Sequence, residues 1–204
     1  TMPRVHSARD ADEFKIILNT LEERRGLKAR RLAELLALWA LRVSDLLAIT
    51  WKNVEEGFDT GEFTIIESKT KKRKIITLTP IAVQKLHSMR VIYPDDVFLF
   101  QSQRVEEIKP IGRVTAWRWM KETQAAVLKY RRENGVIGGV NLGTHSLRKT
   151  GSRLRQQAGI QLAELQQLLN HSSPSTTVNY LDNREQDLAN TFLAGDRALF
   201  NGVD

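Results

Sequence analysis

Residues 27–41 read LKARRLAELLALWAL, the most apolar stretch of this chain. Leucine, alanine and tryptophan recur there at such short intervals that apolar side chains would nearly encircle a helix. A helix of this kind is stable in water only when other elements cover most of its surface. We therefore predict that residues 27–41 form the central helix of the core, with the remaining elements packed around it.

Helical patterns lie on both sides of this segment. Ser7, followed by acidic residues in the first turn, predicts the start of a helix that runs to Arg25. The other periodic segments predict helices over 43–49, 80–93, 113–133, 146–158, 162–169, 175–181 and 185–200. Four glycines in GVIGGVNLG (135–143) are expected to end the long helix before them.

The period changes to that of strands between residues 62 and 78. EFTII (62–66) and KIITL (74–78) are short and rich in β-branched residues, and SKTKKR separates them. This arrangement predicts an antiparallel hairpin with a basic tip. VFLF (97–100) predicts a short strand or a buried extended segment. The expected fold class is therefore mostly α (α+β), with one small antiparallel sheet.

Composition limits the classes of function. A chain of 204 residues, 41% of them apolar, can form one globular domain with its own core. It has neither a run of 18 apolar residues nor an N-terminal secretory signal, so we expect a cytoplasmic protein with no membrane contact. It has no cysteine, which excludes disulfides and cysteine–zinc sites. Lys and Arg number 31 against 24 acidic residues, a net charge of +7 that favours a polyanionic partner such as nucleic acid.

Several polar residues suggest chemistry, and each also has an ordinary structural explanation. His145 and Arg148 lie three residues apart at a predicted helix start, where an anion such as phosphate is favoured, but they could equally be a surface pair. Arg42 follows the central helix, and it either pairs with Asp45 or is held by Asp45 while it points at a ligand. Lys69 belongs either to a solvated turn or to a hairpin tip that donates a proton within a cleft.

His171 and Tyr180 lie in LLNHSSPSTTVNYL (168–181). Tyr180 is either a core aromatic residue beside a loop or a nucleophile. A phenol with the reference pKa of about 10 is a poor nucleophile at neutral pH. It would need cationic neighbours that favour the phenolate and hold a phosphate in line for attack. Two arginines, a lysine and two histidines would supply both.

Taken in order, these residues resemble the catalytic domain of the tyrosine recombinase (phage integrase) family. ALRVSDLLAITWKNV (40–54) resembles the first arginine box of the family, and SKTKKRKIITLTP (68–80) resembles its lysine-bearing hairpin. THSLRKTGSRLRQQAG (144–159) and LQQLLNHSSPSTTVNYL (165–181) resemble the second and third boxes. Asn170 departs from the glycine that commonly precedes the histidine, and it tolerates the left-handed backbone well.

The resemblance implies a role for each residue of the set. Arg42 and Arg148 would hold the non-bridging oxygens of the scissile phosphate, with His171 supporting them. Tyr180 would attack to form a 3′-phosphotyrosyl link, Lys69 would be the general acid, and His145 would accept or orient the tyrosine proton. Lys71 or Lys72 could substitute for Lys69. No metal, ATP or other cofactor is implied.

The resemblance also implies double-stranded DNA as the partner and a nucleoid-associated location. The expected DNA contacts are Lys71, Lys72, Arg73, Lys74, Arg153 and Arg155, with phosphate contacts from Arg113, Arg118, Lys121, Lys129, Arg131 and Arg132 on the long helix. We expect an N-terminal tail (1–6), a catalytic domain (7–182) and a C-terminal helix (183–204), without a separate N-terminal DNA-binding domain. The C-terminal helix would pack on a neighbouring protomer in a tetramer on DNA, or else fold back on its own domain.

Two other functions remain open from the sequence. A type IB topoisomerase uses similar residues and the same covalent link, but it would relax supercoils as a monomer without a defined site. A sequence-specific DNA-binding protein could keep the fold without the chemistry. The apolar C-terminal segment favours assembly and so a recombinase, and the intact set of six residues favours catalysis.

Overall fold

The protein is described by a computed structural model, which covers residues 5–103 and 107–181. The predicted fold class is confirmed: helices dominate, and the described part of the chain has one two-stranded antiparallel sheet. In chain order the elements are α1 (Ala11–Arg25), α2 (Leu27–Trp39), α3 (Val43–Leu47), α4 (Trp51–Glu55), β1 (Glu62–Ile66), β2 (Arg73–Thr77), α5 (Pro80–Ile92), α6 (Arg113–Glu122), α7 (Gln124–Glu133), α8 (Thr144–Gln157), α9 (Leu162–Leu169) and α10 (Pro174–Leu181).

Helix α2 is the central helix, as its apolar sequence predicts. It contacts α1, α5 and α8, and Leu32, Leu35 and Leu36 are almost completely shielded from solvent. Helices α2 and α8 approach most closely at Gly151, where a Cβ atom would lie only 2.0 Å from the carbonyl oxygen of Ala37. Only a glycine allows this approach, and it places α8 directly against the helix that leads to Arg42.

Two cations satisfy carbonyl groups at the C-terminal end of α2. Arg155 donates to the carbonyl oxygens of Ala37 (3.0 Å) and Leu38 (2.6 Å), and the Nζ atom of Lys74 donates to that of Trp39 (3.0 Å). Cations are favoured there because the last carbonyl groups of a helix lack partners within the helix and carry its negative dipole end. The expectation that Lys74 and Arg155 contact DNA is corrected, since Lys74 is buried and the donors of both are engaged with the backbone.

The hairpin has the predicted strands, with β2 beginning one residue earlier than expected. Phe63 pairs with Ile76, and both side chains are buried on the face that packs on the core. The tip, residues 67–72, closes through two backbone hydrogen bonds of 2.9 Å: the N–H of Glu67 donates to the carbonyl oxygen of Lys72, and the N–H of Lys71 donates to that of Glu67. Lys71 adopts a left-handed backbone with φ of 58°.

Helix α1 begins at Ala11 rather than at Ser7. The side chain of Asp10 accepts a hydrogen bond from the N–H of Glu13 (2.7 Å) and is the actual N-cap, whereas Ser7 is buried before the helix. The short helix α4 was not predicted, although Thr50 and Asn53 form a capping box at its start.

The long helix predicted over 113–133 is two helices that divide at Thr123. The buried hydroxyl of Thr123 donates to the carbonyl oxygen of Met120 (2.7 Å), a local bond that competes with the helical ladder. Segment 97–100 forms no strand, and Phe98 makes an isolated bridge with Thr50. Leu99 and Phe100 are fully buried, in agreement with the alternative expectation of a buried segment.

Arg131 on α7 is fully buried and forms a bidentate pair with Glu13 of α1, with Nη2 to Oε1 at 2.6 Å and Nε to Oε2 at 3.1 Å. The expectation that Arg131 contacts phosphates is therefore wrong, because this pair ties α1 to α7.

The helix predicted over 185–200 lies outside the described residues. Within 5–103 and 107–181, no helix is long and apolar enough to cross a membrane.

Candidate active site

The six candidate catalytic side chains line one cleft of about 430 Å³. Arg42 and Lys69 come from the α2–α3 junction and the hairpin tip. His145 and Arg148 come from the first two turns of α8, whereas His171 comes from the turn between α9 and α10 and Tyr180 from α10. Residues more than 130 positions apart in sequence thus meet at one place, as the resemblance implies.

Arg148 is the most buried cation of the cleft, with only 2% of its surface exposed. Its Nη2 atom donates to the carbonyl oxygen of Leu169 (2.6 Å), which fixes the guanidinium against the end of α9. Its Nη1 atom is buried and has no hydrogen-bond partner among the described residues. A buried guanidinium nitrogen of this kind has the charge and geometry to bind an anionic oxygen.

Arg42 precedes α3 and is held by two carboxylates. Its Nη1 atom donates to Oε1 of Glu67 (2.8 Å) and lies 3.8 Å from Oδ2 of Asp45. Asp45 was the expected partner, whereas Glu67 was not identified from the sequence. The one available signal in the sequence was its position: Glu67 is an acidic residue that directly follows a predicted strand and precedes a run of basic residues.

Asp45 and Glu67 also hold the hairpin tip. Oδ1 of Asp45 accepts hydrogen bonds from the N–H (2.9 Å) and hydroxyl (2.6 Å) groups of Ser68. Oε2 of Glu67 accepts one from the hydroxyl of Thr70 (2.7 Å). The segment on either side of Lys69 is thereby attached to the start of α3.

The two histidines are biased towards their neutral forms. Burial, followed by the charge of Arg148, lowers the pKa of His171 to about 4. The same two causes lower the pKa of His145. Much of the His145 side chain is open to solvent, yet Arg148, Arg42 and Lys69 all act in the same direction, so the lowering does not depend on burial alone. Neutral imidazoles can accept protons and hydrogen bonds at neutral pH.

Tyr180 lies among cations at the floor of the cleft. The guanidinium carbon of Arg148 lies 5.9 Å from the centre of its ring, and the ring of His171 meets it edge to face at 5.5 Å. Its hydroxyl lies 3.4 Å from the carbonyl oxygen of His145. Burial raises the pKa of Tyr180, while Arg148 and Arg42 oppose that rise. Tyr180 is therefore a phenol at neutral pH in this structure.

Residue Thr177, not identified from the sequence, fixes the ring of His171. Its buried hydroxyl lies 3.0 Å from Nδ1 of His171. This contact occupies one ring nitrogen and leaves Nε2 as the other polar atom of the ring. No sequence signal marks Thr177 beyond its place in a run of small hydroxyl residues.

The basic residues near the cleft divide into exposed and structural groups. Lys69, Lys71 and Lys72 are exposed at the hairpin tip, and Arg73 is exposed at the start of β2. Lys69 and Lys72 also line the cleft. Lys74 is different: burial lowers its pKa to about 7, and its Nζ atom also donates to the carbonyl oxygen of Leu168 (2.6 Å). Arg153 is half-buried on α8.

Within the described residues, no three His, Cys, Asp or Glu side chains gather into a group that could hold a metal ion. The arrangement instead offers cationic donors, two neutral imidazoles and one phenol. Such a set is suited to binding an anionic phosphorus centre and transferring it to the phenol.

Known proteins resemble this chain over most of its length. The model of the phage integrase family matches residues 9–187. A Bacillus subtilis (strain 168) protein described as "Probable integrase/recombinase YoeC" is 36% identical over 142 residues, which are 70% of each chain. The tyrosine recombinase XerC of Chlamydia pneumoniae is 30% identical over 156 residues, which are 76% of this chain and 47% of XerC.

The fold is also that of a solved structure. A lambda integrase tetramer bound to a Holliday junction matches 90% of this chain and 50% of the integrase chain, with a TM-score of 0.64 and 21% identity. The chain therefore spans about half the length of XerC and of this integrase. With a family match over residues 9–187, the chain belongs to the phage integrase (tyrosine recombinase) family.

Proposed function

We propose that this protein is a site-specific DNA recombinase that cleaves and rejoins strands through a 3′-phosphotyrosyl intermediate on Tyr180. One observation carries the proposal. The Nη1 atom of Arg148 is buried without a hydrogen-bond partner among the described residues, and the Cζ atom of the same guanidinium lies 5.9 Å from the centre of the Tyr180 ring. A phosphate held by Arg148 would sit beside the phenol, in the position required for attack.

The phosphate would be clamped by Arg148 and Arg42. Arg42 is already oriented by Glu67 and Asp45, so little freedom is lost when it binds. Two guanidinium groups can share the equatorial oxygens and stabilise the charge that grows there in the transition state. His171, neutral and fixed by Thr177, would add a hydrogen bond.

The transfer begins as Tyr180 loses its proton. Because burial raises the pKa of this phenol, deprotonation has to accompany attack, and neutral His145 is the proposed acceptor. The phenolate oxygen then bonds to phosphorus as the bond to the 5′-oxygen breaks. Lys69 donates a proton to that leaving oxygen. The 5′-hydroxyl of another strand reverses these steps, and the covalent link conserves the bond energy without ATP.

The proposed DNA contacts are the exposed tip residues Lys71 and Lys72, the neighbouring Arg73 at the start of β2, and Arg153 on α8. Action on cellular DNA would place the protein in the cytoplasm with the nucleoid. One structural relative is a lambda integrase tetramer bound to a Holliday junction, and by analogy we propose a tetramer joined through segment 183–204. That segment lies outside the described residues.

The test is covalent capture in cells. Tagged wild type and Tyr180→Phe are expressed, lysates are denatured, and DNA that remains on the purified protein is sequenced. We expect DNA on the wild type alone, enriched in particular sequences. Adduct on Tyr180→Phe would refute the role of Tyr180, and adduct without sequence preference would favour a type IB topoisomerase. Selective binding without adduct would favour the non-catalytic alternative.

A further inference from the structure

The carboxylate of Glu67 is fully buried and joins three separate segments of the chain. Its oxygens accept hydrogen bonds from Nη1 of Arg42 (2.8 Å), from the hydroxyl of Thr70 (2.7 Å) and from Nδ2 of Asn170 (3.1 Å). Arg42 lies directly before α3, Thr70 lies in the hairpin tip, and Asn170 follows α9 just before His171. One buried charge thus connects the elements that carry Arg42, Lys69 and His171.

Asn170 does more at this position than its backbone conformation requires. Its φ of 54° lies in the left-handed region, which glycine adopts at least as readily. A glycine would therefore serve the turn equally well, but it has no side chain. The amide of Asn170 reaches across to Glu67, 103 residues away in sequence, and approaches the carbonyl oxygen of Arg73 at 3.4 Å.

The contact with Asn170 lies at the base of the hairpin tip. Glu67 opens the tip and Lys72 closes it, and the two share a backbone hydrogen bond of 2.9 Å. Lys69 lies between them, and its exposed side chain lines the same cleft as His171. A link from Glu67 to the turn before His171 therefore determines how the tip lies over the cleft.

We propose that Glu67 and Asn170 are positioning residues, whose hydrogen bond holds the hairpin tip, and with it Lys69, over the cleft next to His171. The consequence for catalysis rests on the proposed function, because it assumes that Lys69 is the general acid. The consequence for the hairpin tip does not depend on any reaction.

The position of the tip can be tested without DNA, because the tip is rich in trypsin sites. Asn170→Gly removes the amide and keeps a residue that accepts the left-handed backbone. Mass spectrometry measures the initial rate of trypsin cleavage within residues 69–74. We expect this rate to be roughly tenfold higher in Asn170→Gly than in wild type, the factor expected for the loss of one hydrogen bond to a charged group. Cleavage after Arg132 should not change.

A matched control is Asn134→Gly, which removes an exposed asparagine at the end of α7 whose amide donates to Tyr130. It should leave cleavage of the tip at the wild-type rate. Glu67→Gln leaves one acceptor oxygen for three donors and should also expose the tip. Adding Asn170→Gly to Glu67→Gln should increase cleavage less than Asn170→Gly does alone, because the bond between the two residues is already weakened. The proposal would be overturned if trypsin cleaved the tip of Asn170→Gly at the wild-type rate. It would also be overturned if cleavage became faster at all sites of the chain to the same extent.

The catalytic consequence is tested with two leaving groups. The strand recovered by covalent capture is synthesised with either oxygen or sulfur at the 5′ position of the scissile phosphate. A thiolate leaves without a proton because thiols are far more acidic than sugar hydroxyls, so the sulfur strand does not need Lys69. We expect Asn170→Gly to form adduct about tenfold more slowly on the oxygen strand, and within about twofold of wild type on the sulfur strand.

Lys69→Ala should show the same pattern with a larger defect. If Asn170→Gly is slow on both strands, or on neither, the link does not act through Lys69 and the proposal fails. Failure of the proposed function looks different: wild type would form no adduct on either strand, or Tyr180→Phe would form one. The trypsin result is independent of both outcomes.

Discussion

Gly151 on α8 and the carbonyl oxygen of Ala37 on α2 lie so close that a Cβ atom on Gly151 would be 2.0 Å from that oxygen. This contact sets the spacing between the two helices that lead to the cleft arginines. Arg148 lies one turn before Gly151 on α8, and Arg42 follows the end of α2. The distance between the two arginines therefore depends on a residue that touches no ligand.

Gly151→Ala should be strongly destabilising. The methyl group cannot fit unless α8 moves away from α2, which disrupts the packing of both helices, and we expect a loss of about 3 kcal/mol or more in the free energy of unfolding. Urea denaturation measures it. Gly112→Ala is the matched control, because its Cβ would meet only Thr115 Oγ1, at 3.9 Å. A loss below about 1 kcal/mol for Gly151→Ala would contradict the close approach.

Arg148→Lys should abolish most adduct formation although it keeps the charge. A lysine carries all its N–H donors on one nitrogen, so it cannot occupy both the Nη2 position against Leu169 and the separate Nη1 position that faces a phosphate. We expect the rate of adduct formation to fall roughly 100- to 1000-fold, the usual effect of losing one donor to the transition state. Arg24→Lys, an exposed arginine in the last turn of α1, is the control and should keep the wild-type rate. Retention of more than a tenth of the rate in Arg148→Lys would argue against the clamp.

The central helix and the hairpin were predictable because their signals are local. Apolar residues that nearly encircle 27–41 demand burial, and short β-branched segments on either side of a basic tip demand a hairpin. The six cleft residues were predictable by their order and spacing, through the family resemblance. The structure adds that they share one cleft.

Buried charges were not predictable, because their partners lie far away in sequence. Glu67 meets Asn170 at a separation of 103 residues, and Arg131 meets Glu13 at 118. Lys74 looks like part of a solvated basic run, yet it is buried against the ends of α2 and α9. Sequence periodicity around Lys74 and Arg131 gives no sign of these contacts, which exist only once the helices have packed.

Acidification should destabilise the protein through His171. The pKa of this histidine is about 6.5 in the unfolded chain and about 4 in the folded one. Between these values the unfolded state binds more protons, so the free energy of unfolding falls as pH is lowered from 7 towards 4. Since His171 is only half-buried, we expect a change of roughly 1–2 kcal/mol rather than the full value of the shift.

Denaturation at pH 7 and pH 4.5 would measure the effect of His171. His171→Gln should reduce the difference in the free energy of unfolding between pH 7 and pH 4.5. Part of that difference should remain with the same sign, because the pKa of His145 is also lowered. His87→Gln removes an exposed histidine that stacks on Phe58 and is the matched control. An unchanged difference in His171→Gln would show that this ring is not held in its neutral form.

Thr177→Val should slow adduct formation while the fold is retained. Valine matches threonine in shape, so the buried site stays filled, but the hydroxyl that holds Nδ1 of His171 is lost. The imidazole can then rotate or change tautomer, and we expect the rate of adduct formation to fall about tenfold. Thr77→Val removes an exposed hydroxyl on β2, outside the lining of the cleft, and should have little effect. Thr177→Ser keeps the hydroxyl group that contacts Nδ1 of His171 and should therefore keep most of the wild-type rate. Equal rates for Thr177→Val and wild type would mean that His171 is oriented by packing alone.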